Sequence, residues 1–335
     1  MNVKKAQSFV TQNAIYIVLV LLIMGIIIYD PNFMSINTLR DVLIQSSTRV
    51  IIALGVAFIL ITAGTDLSAG RVVGFTAVIS ASMLQIPEYS RRFFPDLPQV
   101  EVWLPILIAI VAGLLCGLIN GIVVSKLHVP PFIATLGTML IVYGLNSLYF
   151  DMDPNQSQPI GGLRPDFTKI GSGFIGSGQY SVPYIVLIAL AVAAIVWVVF
   201  NKTKLGKNMY AIGGNIQAAK VSGIDVSKNL IYIYAIAGAL YGLAGVLEAA
   251  RTGGATNNYG NMYELDAIAA CVVGGVSTTG GIGTVPGVLV GVIIFTLINY
   301  GLTFIGISPY YQLIIKGLII IAAVAFDMRK YSSKK

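Results

Sequence analysis

Ten apolar runs follow one another along this 335-residue chain, each ended by charge, proline or glycine. They cover roughly residues 14 to 29, 42 to 63, 68 to 86, 102 to 125, 131 to 150, 182 to 200, 230 to 252, 265 to 278, 284 to 304 and 308 to 326. A hydrocarbon slab about 30 Å thick needs roughly 20 apolar residues per helical crossing, which is the length of most of these runs. Composition agrees: 56% of residues are hydrophobic and 10% charged, where a soluble domain carries about 25% charged residues. High glycine, 36 residues, with modest aromatic content suits closely packed helices better than a β-barrel. The expectation is a single all-α polytopic membrane domain over residues 1–335 with about ten transmembrane helices.

An even number of spans places both termini on one side. Lys4 and Lys5 at one end and Arg329, Lys330, Lys334 and Lys335 at the other make that side the cytoplasm. The loop 201–229 carries Lys202, Lys204, Lys207, Lys220 and Lys228 against a lone Asp225 and falls on the same side. Loops 87–101 and 151–181 then lie outside; Arg91 and Arg92 run against the rule but are offset by Glu88, Asp96 and Glu101. No small-x-small cleavage site follows the first run, which reads as a retained span. The cations are scattered through short connections rather than forming a basic face interleaved with aromatics, which argues against a nucleic-acid partner.

Two places break the pattern. The run 265 to 278 is too short to cross unaided, and Gly64 to Gly74 is a polar interruption between two apolar runs. Irregular backbone at membrane depth persists only where protein or a wet cavity satisfies it, so both places belong to a helix break near a pathway or a packed seam. Short matches, Thr62-Ala63-Gly64 and Thr278-Thr279-Gly280, hint at a duplication without establishing it. Gly113, Gly117 and Gly121, and again Gly283, Gly287 and Gly291, form small-xxx-small faces for close helix approach.

Charges inside spans are costly and are functional candidates. Arg49 and Lys316 are two; Glu248 and Arg251, three apart on one helix, are placed to pair with each other. Asp66, Glu264 and Asp266 read as lying near span ends, which argues against a proton-coupled carrier with acids strung through the membrane. Tyr143, Asn146, Asn299 and Tyr300 are polar positions in spans, candidates for lining a pathway, with helix packing as the alternative. Cys116 and Cys271 read as small buried hydrophobes and His128 as part of a polar turn. The GxGxxG match at Gly171, Gly173 and Gly176 has no strand before it, and no GxxxxGK[ST] occurs, so the chain is not expected to bind ATP; it is read as a non-enzyme with no cofactor and no metal of its own.

The 29-residue loop 201–229 is long for a connector. Within it, residues 213 to 224 combine a glycine start, a helix-forming middle and a glycine stop, and read as a stubby helix. Gln217-Ala218-Ala219 followed by Gly223 resembles the EAA-x3-G coupling motif of permeases of ATP-binding-cassette importers, with Gln in place of Glu. Ile61 to Gly70 and Gly274 to Thr284 resemble the motifs of the ribose, xylose and galactose permease family over essentially the whole chain. The strings Ala63 to Arg71 and Gly254 to Asp266 are more similar to the galactose branch than to the ribose branch.

The resemblance implies an inner-membrane homodimer, an ATPase subunit that carries the ATP, and a periplasmic sugar-binding protein. Gln217, Ala218, Ala219 and Gly223 would then couple to the ATPase. Asn257, Asn258, Glu264 and Asp266, with loop 151–181, would receive the binding protein. The rivals are a secondary sugar transporter acting alone, which would show carboxylates around broken helices in mid-membrane, and an intramembrane enzyme, for which no span offers a nucleophile with a base.

Overall fold

The computed structural model describes residues 14–332 apart from 177, 179 and 180. Ten helices occupy the ten predicted runs: α1 (Ala14–Tyr29), α2 (Ile36–Ile61), α3 (Ala69–Met83), α4 (Trp103–Lys126), α5 (Pro131–Phe150), α7 (Tyr184–Lys202), α10 (Val226–Thr252), α11 (Tyr263–Val273), α12 (Val285–Phe304) and α13 (Pro309–Ser332). Three more lie in the connections: α6 (Pro165–Ser172), α8 (Lys204–Gly214) and α9 (Ile216–Val221). A two-stranded antiparallel ribbon, β1 (Phe174–Ile175) with β2 (Val182–Pro183), qualifies the all-α expectation. Lys4, Lys5, Lys334 and Lys335 lie outside the described residues.

Local chemistry fixes the helix starts. Ser35, Thr203, Asp225 and Thr284 each accept a hydrogen bond from a first-turn N–H of α2, α8, α10 and α12. Pro131 opens α5, where its missing N–H costs nothing. His128, in the turn before it, takes a φ of +55°, in keeping with its reading as a turn residue.

Among the described residues six helices, α2, α4, α5, α7, α10 and α12, are long and apolar enough to cross a membrane. Within the bundle 83% of the most apolar stretch of α2 is buried, against 28% for each of α4, α5 and α7, so α2 is the central post and those three form the outside. Leu115 and Ile119 on α4, Leu140 and Leu148 on α5 and Leu190 and Ile195 on α7 are exposed apolar side chains. Contiguous apolar surface of that extent suits lipid or a partner protein, not water.

The glycine faces are packing seams. On α4, β-carbons at Gly113 and Gly117 would overlap backbone of α10 at Gly238 and Tyr234. On α12, Gly287 and Gly291 meet α11 in the same way, at Gly274 and Ala270, while Gly283 precedes that helix and faces Ile61.

The connections gather at two ends. At one end Gly281 N–H donates to Ile61 O at 2.8 Å, Tyr210 on α8 donates to Gly283 O at 2.8 Å, and Ser227 donates to Ser125 O. At the other, Ile160 pairs with Ala255 and Gln85 with Leu163, and Arg164 N–H donates to Leu84 O at 2.9 Å. Residues 151–176, with α6, therefore form a folded cap whose strand β1 pairs with β2. The GxGxxG residues sit there, Gly171 inside α6, which is no setting for a dinucleotide.

Candidate functional site

Two of the helices begin inside the bundle. The helix α3 starts at Ala69, inside the Gly64 to Gly74 interruption, and its Val73 packs against Gly245, well within α10. The helix α11 starts beside the Phe295 to Asn299 stretch of α12. Their first turns meet: β-carbons at Gly70 and Gly260 would each overlap the other's carbonyl, and Gly70 also abuts the carboxylate of Glu264. A helix N-terminus carries about half a positive charge, so two converging inside an apolar bundle make a polar centre.

The broken backbone before α3 is satisfied by side chains, as irregular structure inside a membrane protein requires. Asp66, 1% exposed, accepts from Ser68 N–H at 2.8 Å and Ser68 Oγ at 2.6 Å. Asn120 on α4 donates to Ser68 Oγ at 2.9 Å and accepts from Thr138 on α5 at 2.6 Å. Thr135 accepts from Leu67 N–H at 3.1 Å. The chain Thr138–Asn120–Ser68–Asp66 thus ties two helices, α4 and α5, to one loop.

A charged cluster lies on the other side of the junction. Asp266 on α11 takes Arg49 of α2 at 2.8 Å and Lys316 of α13 at 3.1 Å, both on Oδ2. Glu248 on α10 takes Arg251 at 2.7 Å, Thr48 Oγ1 at 2.9 Å and the Tyr263 hydroxyl at 3.2 Å. The Arg49 guanidinium lies 3.7 Å from the Tyr263 ring centroid. These groups open on a cleft whose lining includes Gln45, Arg49, Arg251, Asp266, Thr296 and Asn299.

The span charge Lys316 is met by Asp266, and the pairing of Glu248 with Arg251 matches the sequence reading. The position of the acids does not. Glu264 and Asp266 are 8% and 9% exposed, and Asp266 is occupied by two cations, so neither is a free surface carboxylate that steers a soluble partner. The physical reason is the inward start of α11, which carries its first turn into the bundle. With Asp66 and Glu248 also buried, the argument that the acids sit at span ends fails. Of the other docking candidates, Asn258 is exposed, and the half-buried Asn257 offers its carbonyl to Asn146 at 3.3 Å.

The four pathway candidates separate. Asn299 lines the cleft. Its neighbour Tyr300 points elsewhere, donating to Asp41 at 2.9 Å and packing near Phe33. Tyr143 and Asn146 share one face of α5 at the half-helix junction, Tyr143 beneath the Arg71 guanidinium at 4.2 Å. Sequence reading missed Arg71, whose Nη2 donates to Asn261 at 2.6 Å. Its signal was available, a cation near the start of the apolar run 68 to 86.

In the loop 201–229 the stubby helix expected over 213 to 224 is α9, and a second helix, α8, precedes it; the two are hinged at Asn215, whose side chain accepts from Gln217 and Ala218 N–H at 2.9 and 3.0 Å. Gly223 ends α9 with φ +81°; Ile224 N–H donates to Ala219 O and Gly223 N–H to Lys220 O, the Schellman arrangement. Ala219 is a correction: it faces inward among Ile212 and Val226, 3% exposed, and belongs to no outer face. Gln217, Ala218, Lys220 and Val221 are exposed, Val221 at 90%.

Long apolar helices around a central post, two helices that start within them and a polar cleft at that junction define a multi-span membrane permease. A family model described as the permease component of a branched-chain amino acid transport system matches residues 38–324, and the chain belongs to that family. It is 55% identical to the galactose/methyl galactoside import permease protein MglC of Haemophilus influenzae, over 99% of this chain and 98% of that one. The MglC of Escherichia coli K12 is 53% identical over 100% of this chain and 99% of its own. The ribose import permease protein RbsC of Escherichia coli K12 is 36% identical over 94% of this chain and 92% of its own. No solved structure matches the chain.

Proposed function

We propose that this chain is the transmembrane permease subunit of an ATP-driven importer that carries galactose and methyl galactosides across the bacterial inner membrane by alternating access. The observation that carries the reading is identity above one half, along the whole chain, with two import permeases of that description. Identity to a ribose permease is lower by 17 points, 53% against 36% in the same organism, which favours galactose.

In this reading all ten apolar helices cross, the end bearing α8 and α9 is cytoplasmic, and the cap of loops 87–101 and 151–181 is periplasmic. The chain forms one domain, works as a homodimer, and takes its energy from a separate ATPase subunit and its sugar from a periplasmic binding protein. The exposed side of α9, Gln217, Ala218 and Val221, seats on the ATPase. The cap with Asn258 replaces Glu264 and Asp266 as the face for the binding protein.

Broken helices ringed by carboxylates suit a carrier that works alone as well as an ATP-driven permease. The permease component of a transport system has partner chains, and that supports the ATP-driven one. Sealed vesicles holding the chain, the ATPase subunit and internal ATP, given galactose-loaded binding protein outside, test it. Galactose accumulation only when all three proteins and ATP are present is expected. Accumulation by the chain alone would overturn the proposal.

A further inference from the structure

The half-helix junction holds polar atoms without partners. Glu264 Oε2, Asn146 Oδ1 and Arg71 Nη1 are each shut away from solvent and make no hydrogen bond among the described residues. Asn146 is 1% exposed and Glu264 8%. Elsewhere in the bundle the carboxylates are provided for: Asp266 by two cations, Glu248 by Arg251, Thr48 and Tyr263, Asp66 by Ser68. An unmet buried polar group is costly, and a structure keeps one where something else supplies its partner part of the time.

The three lie together. Arg71, on the first turn of α3, covers Tyr143 and holds Asn261. Asn146 stands one turn beyond Tyr143 and holds the Asn257 carbonyl. Glu264 reaches back against Gly70, the residue before Arg71. The unmet set is two acceptors and one donor, beside an aromatic ring that is 39% exposed. An anion would meet the Glu264 carboxylate and a cation the Arg71 guanidinium. A neutral polyol satisfies all three, its hydroxyls donating to Glu264 and Asn146 and accepting from Arg71.

We propose that Arg71, Tyr143, Asn146 and Glu264 form the contact site through which the transported hexose passes, at the meeting of the α3 and α11 N-termini. The proposal rests on the importer reading above and adds the site to it. Weak contacts suffice here, since a transit site must release its cargo on the other side.

The test uses the assembled importer in proteoliposomes with internal ATP. Uptake of galactose and of each monodeoxygalactose is compared between the wild type and the Asn146→Leu and Glu264→Gln variants, with the same binding protein, whose own selectivity cancels in the comparison. Each variant is expected to lower galactose uptake on the order of 5-fold, the worth of one hydrogen bond. The analogue lacking the contacted hydroxyl is expected to be carried equally by variant and wild type. An equal loss for every sugar, or no loss, overturns the site while leaving the importer standing. A wild type that carries no galactose overturns the importer reading itself. Should a variant fail to assemble, Tyr143→Cys in a Cys116→Ser chain decides: slower thiol labelling when sugar is in transit supports the site, and labelling indifferent to sugar overturns it.

Discussion

Gly70 and Gly260 lie backbone against backbone, 190 positions apart, and each leaves the other no room for a β-carbon. Gly260 also holds a φ of +76°, where an added side chain is strained. This contact brings the start of α3 to the start of α11 and so creates the polar centre. Either glycine changed to Ala is expected to cost about 2–4 kcal/mol. Gly214→Ala, at a position where a β-carbon meets nothing within 4 Å, should stay within about 0.5 kcal/mol. Thermal melts of the detergent-solubilised chain measure the contrast; equal melting temperatures for Gly70→Ala and Gly214→Ala would contradict this packing.

Asp266 holds two cations on one oxygen, so its loss is expected to exceed the loss of either cation alone. Asp266→Asn orphans Arg49 and Lys316 together and should cost about 3 kcal/mol. Lys316→Met leaves Asp266 still bonded to Arg49 at 2.8 Å and should cost less. Melting temperatures of the two variants check the order, and a Lys316→Met chain less stable than Asp266→Asn refutes it.

Gly223 stands in open space, so a β-carbon there costs only its left-handed backbone, about 1 kcal/mol. Loss of transport in Gly223→Trp beyond that strain would therefore come from a partner's surface. Val221, the most exposed apolar residue of α9, is the sharper probe. Val221→Asp should weaken attachment of the ATPase subunit at least about tenfold and leave the melting temperature of the chain unchanged. Pull-down of the ATPase by the two forms measures it, and equal recovery removes α9 from the interface.

In the cap, Arg164 donates from Nε at 3.1 Å and from Nη2 to the two oxygens of Asp166. That pairing holds the Asp166 carboxyl below its ordinary value. With a folded-state value lower than the unfolded one, the stabilisation is complete above about pH 4 and is lost as pH falls through the lower value. The carboxylate is half exposed and screened, so the pair contributes at most about 1 kcal/mol. Asp166→Asn should melt slightly below the wild type at pH 7, and the gap should close under acid. A gap that persists at pH 2 would assign the effect to packing.

The sequence by itself determined the ten helices, because in an apolar medium each helix satisfies its backbone internally and its length is written in a local run of apolar residues. The runs 14 to 29 and 131 to 150 coincide with α1 and α5 to the residue. It also located the two interruptions, the Glu248 to Arg251 pair and the turn at Gly223, all consequences of neighbours within a few positions. Only the tertiary structure decided how deep each polar group lies. Counting from a turn gives depth when the turn is at the surface, and the turns before α3 and α11 are not. Glu264 and Asp266 are early in their helix yet inside the bundle, and Ala219 faces inward because α9 folds back on Ile212 and Val226. The partners Asp266 with Lys316 and Gly70 with Gly260 are 50 and 190 positions apart, and contacts at that separation follow from how the helices pack, which no local pattern encodes.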